Sequence, residues 1–308
     1  MGAAPIPPDL AAHGDSPAAI VAAIAEQGES FSTPCGAGSL AWRSWGQGRP
    51  LVLLHGGFGS WTHWLRNVLP LAAAGRRVLA VDLPGLGASA DAPKPHTAEG
   101  LAAIVAEGID ALLGQDAALD LVGFSFGGVL GGHVAARLGA RVGWFVVSGS
   151  NGMGLPRAPT APMQSWRGIP DPAARRAVHR DNLAILMLAD RNRIDPVAIH
   201  LQQQNAEQGR VRSPDISRTD TLRQVLPRVQ ARLAGIWGER DCFAHELMAS
   251  RAAVLREADP EAPFHVIPGA GHWVAYEAAA EFNATLLALL AGTDAAARAV
   301  ALPQEVPS

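Results

Sequence analysis

The chain has 308 residues, 48% of them hydrophobic, enough to bury a large core as one α/β domain or two small ones. A net charge of −3 with no Lys/Arg run removes the electrostatic support for nucleic-acid binding. Cys35 and Cys242 are too few for a disulfide framework and lack C-x-x-C spacing, which argues against structural zinc and for a reducing compartment.

No Lys or Arg precedes Arg43, and the apolar run 18–25 is short and closed by Glu26. That fits neither a signal peptide nor a membrane span, so the expected location is the cytoplasm. Residues 1–28 read as an N-terminal extension whose first 15 residues are loosely held. Two antiparallel strands follow over 29–33 and 39–45, joined by a Pro34-Cys35-Gly36-Ala37-Gly38 turn. From Leu51 short apolar runs alternate with helical segments, the pattern of a parallel sheet with crossover helices. Strands are expected over 51–54, 78–82, 119–124 and 142–148, with helices over 61–74, 98–113 and 126–138. The alternation then stops. Residues 151–227 begin rich in proline and continue as helices over 172–189 and 196–208, which suggests a helical lid laid over the strand ends. It resumes with strands over 232–237 and 264–267, helices over 244–258 and 274–290, and a loose tail over 292–308. The core is therefore 29–150 together with 228–291.

The segment Leu121-Val122-Gly123-Phe124-Ser125-Phe126-Gly127-Gly128 carries an apolar strand into a glycine-flanked serine and straight on into a helix. That is the pattern of a nucleophile elbow, in which side chains two positions either side of the serine would collide with backbone. With 33 Gly in the chain the pattern alone has little weight, and its partners decide. A serine hydroxyl needs a general base, usually histidine, and the histidine needs a carboxylate to fix its tautomer. Gly271-His272-Trp273 supplies a histidine in the turn after the last strand, and Trp237-Gly238-Glu239-Arg240-Asp241 supplies an acid after the strand before it. The order Ser125, Asp241, His272 is the one found in α/β-hydrolases.

Competing residues have other readings. His55 precedes the glycine loop and is expected to brace it, while His63, His96, His133, His179, His200, His245 and His265 read as packed or solvated. Glu239 is a second candidate for the acid, and Asp82, before a Pro-Gly turn, reads as structural. The oxyanion donors are the amide of Phe126, at a helix N-terminus, and that of Gly57, with Phe58 as the alternative. Phe58, Trp273, Leu186 and Met187, with Leu188, are candidates for an apolar substrate pocket. No H-E-x-x-H motif or spaced acidic cluster supports a metal, and Gly85-Leu86-Gly87 lacks dinucleotide spacing, so no cofactor is expected.

Across about 29–291 the chain resembles the α/β-hydrolase superfamily. The resemblance rests on His55-Gly56-Gly57, Asp82-Leu83-Pro84-Gly85-Leu86-Gly87-Ala88-Ser89, the Ser125 elbow, Trp237-Gly238-Glu239-Arg240-Asp241 and Gly271-His272-Trp273. It implies an α/β-hydrolase fold: a mostly parallel eight-stranded sheet, helices on both faces, and a helical lid between strands 6 and 7. Gly271-His272-Trp273 with Glu277 and Glu281-Phe282-Asn283 is similar to the meta-cleavage product hydrolases, which cut carbon–carbon bonds. Those enzymes usually carry a lid arginine for the substrate carboxylate; here Arg175, Arg176, Arg180, Arg191 and Arg193 are the candidates. The glycine loop also lacks the proline common in that subgroup. The expectation is a cofactor-independent serine hydrolase acting on a small, largely apolar carboxylic ester through an acyl-enzyme. The alternatives are carbon–carbon bond hydrolysis and a non-catalytic ligand receptor on the same fold. The partner expected is a small-molecule substrate, and the sequence leaves monomer and homodimer both open.

Overall fold

Leu51-Val52-Leu53-Leu54 is wholly buried, and a continuous apolar strand of this kind needs cover on both faces. In the computed structural model, which describes residues 16–300, it belongs to β3 (Arg49–Leu54) in the middle of an eight-stranded sheet. The spatial order is β1 (Glu29–Cys35), β2 (Gly38–Trp45), β4 (Arg76–Val81), β3, β5 (Leu119–Phe124), β6 (Val142–Ser148), β7 (Arg232–Gly238) and β8 (Phe264–Ile267). β1 and β2 pair antiparallel, as do β2 and β4, and every later pairing is parallel.

Side chains alternate across the sheet, so each strand feeds two cores. Val52, Leu54, Leu121 and Val147 pack with α3 (Ala98–Leu113), α4 (Phe126–Leu138) and α9 (Met248–Ala258) on one face. Leu51, Leu53, Val122 and Val146 pack on the other with α1 (Pro17–Glu26), α2 (Val68–Ala73) and α11 (Ala279–Val300). Each buried Leu or Val contributes about 1.5–3 kcal/mol relative to exposure. Asp120, on buried β5, is held by Arg49 at 2.9 Å and Arg76 at 3.0 Å.

Register determines what the sheet presents at one edge. Leu54 lies opposite Gly123, Phe124 opposite Ser148, Ser148 opposite Ile236, and Gly238 opposite Ile267. The loops leaving β3, β5, β6, β7 and β8 therefore open along the same carboxyl-end crevice, the usual ligand position in such sheets.

Between β6 and β7 lie α5 (Pro172–Leu186), α6 (Pro196–Gln208), α7 (Ser213–Ser217) and α8 (Thr221–Val225). Leu183, Leu188 and Leu201 join one core, whereas Val211, Ile216 and Leu222 join the other, so the insertion bridges the two layers. It also touches the crevice loops: Trp273 N–H donates to the Met187 carbonyl at 2.8 Å, and a Cβ on Gly57 would lie 2.1 Å from Ser213 Oγ.

Several element limits differ from the sequence reading. The helix expected over 61–74 is a 3-10 turn, Trp61–Trp64, followed by α2. Pro70 is the reason: it lacks an N–H and is tolerated only in a helix's first turn, so a new helix begins at Val68. The helix expected over 274–290 is split into α10 (Val274–Glu277) and α11, because Ala278 leaves helical geometry (φ −124°, ψ 52°) and the Glu277 carbonyl accepts from Arg193 Nη1 at 2.6 Å. α11 then continues to Val300, through residues read as a loose tail. The expected extension contains α1, capped by Ser16 and anchored by Ile20 and Ile24, with Trp45 Nε1 donating to the Ile24 carbonyl at 2.9 Å. Residues 1–15 and 301–308, the rest of the predicted ends, lie outside the described residues. Among the described residues no helix is long and apolar enough to cross a membrane.

Candidate active site

Ser125 sits between β5 and α4 at φ +52°, ψ −114°, a conformation that L-residues rarely adopt and that persists only where surroundings enforce it. The enforcement is close packing. A Cβ on Gly123 would lie 2.4 Å from the Gly127 carbonyl oxygen, and one on Gly127 would lie 2.2 Å from that of Leu54. Ser125 N–H donates to the Ser148 carbonyl at 2.8 Å, and Ser150 Oγ–H donates to the Ser125 carbonyl at 2.8 Å. The serine is fixed from both sides, with its hydroxyl turned to the crevice.

His272 Nε2 is 3.1 Å from Ser125 Oγ, and its Nδ1 is 2.9 Å from Asp241 Oδ2. A carboxylate can only accept, so Nδ1 carries the proton and Nε2 is left to accept the serine hydroxyl. Asp241 is completely buried, and its Oδ1 accepts the Phe243 amide at 2.8 Å. Glu239 is exposed and accepts the Gly269 amide at 2.8 Å, so it serves the loop rather than His272. The ring of Phe243 meets the imidazole edge-on at 4.8 Å, and Phe124 lies 5.0 Å away, limiting its rotation.

The loop after β3 lies against the elbow. A Cβ on Gly56 would come 3.2 Å from Ser125 Cβ, and one on Gly57 would come 3.7 Å from Phe126 Cβ. Phe126 is the first residue of α4, where helical geometry leaves amides without an intrahelical partner. The two expected donors thus flank the serine. Phe58 has φ +49° and is 39% exposed at the crevice mouth beside Gly209.

Two histidines shape that loop. His55 donates from Nδ1 to the Gly56 carbonyl at 2.7 Å and accepts the Leu83 amide on Nε2 at 2.9 Å. Burial pushes its pKa down to about 4, against the upward pull of the Gly56 bond. His63 Nδ1 accepts the Gly56 amide at 3.2 Å, and burial, with His55 and His272 nearby, holds it well below the usual imidazole range. Asp82 is buried and accepts the amides of Trp61 and Ala88 at 2.7 and 2.8 Å. Burial raises its pKa while those amides lower it.

Other predicted residues fall into two groups. Trp273 is 1% exposed, stacks on Tyr276 and donates Nε1–H to the His63 carbonyl at 2.8 Å, so it packs beneath the site rather than walling a pocket. Leu186 and Met187 are half-buried, their carbonyls taken by Cys242 Sγ and Trp273 N–H. Arg175 bonds the Ile169 carbonyl, Arg191 pairs with Asp181, and Arg193 bonds the Glu277 carbonyl. Arg176 and Arg180 line an outer groove beside Pro17 and His200.

Sequence reading missed Glu277 as a site residue. It is 3% exposed and accepts the amides of Gly271 (2.6 Å), Asp190 (2.7 Å) and Ala189 (3.0 Å), joining the histidine loop to the insertion. The signal was a lone acid in the apolar run Trp273-Val274-Ala275-Tyr276-Glu277-Ala278, since a buried charge requires partners.

The profile of the alpha/beta hydrolase family matches residues 51–285. A 2-hydroxy-6-oxo-6-phenylhexa-2,4-dienoate hydrolase of Burkholderia cepacia is 30% identical over 264 residues, spanning 80% of this chain and 89% of that protein. Among solved structures, a carboxylesterase of Bacillus subtilis superposes with a TM-score of 0.69 at 21% identity, covering 90% of this chain and 97% of that one. A meta-cleavage product hydrolase of Pseudomonas fluorescens gives 0.66 at 20% identity, covering 85% and 98%. With the match spanning both halves of the sheet and every crevice loop, the chain belongs to the alpha/beta hydrolase family.

Proposed function

We propose that the chain is a serine hydrolase of small, largely apolar carboxylic esters. The observation that carries this reading is the relay from Asp241 Oδ2 through His272 to a strained Ser125 hydroxyl, with separations of 2.9 and 3.1 Å. Ser125 Oγ attacks the ester carbonyl carbon while its proton passes to His272 Nε2, and Asp241 stabilises the resulting imidazolium. The tetrahedral oxyanion accepts from the Gly57 and Phe126 amides; removing one such donor typically costs about 10²–10³ in rate. Collapse breaks the ester C–O bond, and His272 returns the proton to the departing alcohol. Water then cleaves the acyl-enzyme by the same proton path, releasing acid and free serine. Residues 151–227 act as the lid, and their contacts with the histidine and Gly57 loops support that role.

The 30% identical Burkholderia cepacia relative favours a second reading, hydrolysis of a carbon–carbon bond in a vinylogous diketo acid. One experiment separates the two: p-nitrophenyl esters of increasing acyl length run beside a vinylogous diketo acid, with fluorophosphonate labelling of wild type and Ser125→Ala. Ester turnover with labelling confined to wild type is the expected result. Turnover of the diketo acid alone would install the second reading. Equal labelling of both proteins would overturn the Ser125 assignment, and tight binding without turnover would make the chain a receptor.

A further inference from the structure

A smaller cleft lies across Phe243 from His272, with about 20 Å³ of accessible space between the loop after β6 and α9. Arg157, Ser217, Arg218, Thr219 and Arg251 line it, and none of them belongs to the serine relay. Arg251 is only 2% exposed. Its Nη2 donates to the Phe243 carbonyl at 2.9 Å, but Nε and Nη1 meet no acceptor among the described residues. A guanidinium stays charged and carries five donors, so burial with two nitrogens unsatisfied is costly unless something else occupies the space beside them.

The surroundings add positive charge. Arg157 stacks on Phe243 at 4.6 Å and donates to Asn151 Oδ1 at 3.4 Å, and Arg218 stands exposed at the rim. Burial pushes the pKa of Arg157 and of Arg251 down, with Arg218 repelling the first and Arg157 the second, against the pull of Asp241 on both. The carboxylate nearest them, Asp241, is already engaged by His272 and the Phe243 amide. The neighbouring acids are engaged as well: Asp215 pairs with Arg212, Glu257 with Arg223, and Asp220 accepts from Gln224.

We propose that this cleft binds a small oxyanion, a carboxylate or phosphate group, which accepts from the free nitrogens of Arg251 and is closed over by Arg157 and Arg218. The chemistry fits three cations lining one small cleft whose interior admits only the oxygen end of a ligand. The ligand is either a free anion or the charged end of a substrate whose reactive carbonyl lies at Ser125.

The test is thermal denaturation of the whole protein in sodium formate or sodium phosphate against chloride at matched ionic strength. Wild type should show a saturable rise in Tm, about 2 °C at ten times Kd. Arg251→Met should abolish it, and Arg157→Gln and Arg218→Gln should each weaken the apparent affinity tenfold or more. If Arg251→Met does not fold, the other two variants carry the test. No saturable rise in wild type, or an equal rise in wild type and the Arg157 and Arg218 variants, overturns the site. Hydrolysis of mono-p-nitrophenyl glutarate against p-nitrophenyl butyrate then identifies the source. A KM for the glutarate alone that rises in Arg218→Gln marks the substrate's own carboxylate, and unchanged KM for both marks a free anion. The Tm readout does not depend on turnover, so it stands apart from the hydrolase reading.

Discussion

The carboxylate of Glu277 accepts the amide of Gly271 at 2.6 Å, one residue before His272. Because the same carboxylate accepts Ala189 and Asp190, it sets the height of the histidine loop against the insertion. Glu277→Gln keeps an oxygen for the Gly271 and Ala189 amides but turns an NH₂ group toward the Asp190 N–H. The expected cost is about 2–3 kcal/mol of stability, with kcat falling at least tenfold and KM changing less. Urea denaturation and steady-state kinetics on the same preparation check both.

Gly127→Ala should be far more damaging than its size suggests. The new Cβ would sit 2.2 Å from the Leu54 carbonyl oxygen, and backbone there cannot yield without moving β3. A loss above about 4 kcal/mol is expected, in the range reserved for severe steric conflict. Gly100→Ala in α3 is the control: its Cβ meets only Thr97 Oγ1, at 3.2 Å, and the change should stay within about 1 kcal/mol.

Asp241→Asn should leave the fold nearly intact and lower kcat about 10⁴-fold. Its amide oxygen can still accept the Phe243 N–H, which turns the NH₂ toward His272 Nδ1. That forces the ring proton onto Nε2, where it blocks transfer from Ser125. Glu239→Gln, on the exposed side of the same turn, should change kcat less than twofold.

Stability should depend on pH through His55. Its folded pKa, about 4, lies below the unfolded value of 6.5. The unfolded chain therefore binds more protons between those values. The contribution is full above pH 6.5 and is lost as pH falls toward 4, up to roughly 3 kcal/mol. Chemical denaturation between pH 4.5 and 6 should give wild type a slope steeper than His55→Gln by about one proton. Equal slopes would show that His55 is not the titrating group.

The sheet was readable because residues 51–54, 121–124 and 144–147 are unbroken apolar runs and because glycines flank Ser125 at the spacing a tight turn demands. The residues later placed around Ser125 were readable because each stands directly after a strand. Positions acting through backbone were not. His63 lies in Trp61-Thr62-His63-Trp64 and looks like packing, yet its role is to accept the Gly56 amide, a partner seven residues back that no periodicity reveals. Trp273 looked like a pocket wall because it follows His272, whereas its indole reaches 210 residues along the chain to the His63 carbonyl. Arg251 carries no signal in the sequence, since its orphaned nitrogens exist only once Phe243 and Arg157 are folded around it.

Ser125 and His272 are 147 residues apart, and the histidine follows β8, the strand that pairs with the edge of β7. During synthesis the Ser125 turn and the glycine loop can therefore both form while the chain still lacks His272, the proposed base. Hydrolytic competence then arrives with the last strand added to the sheet. Recovery of activity on refolding should time that pairing, whereas recovery of tryptophan burial around Trp42 and Trp45 should report the earlier half.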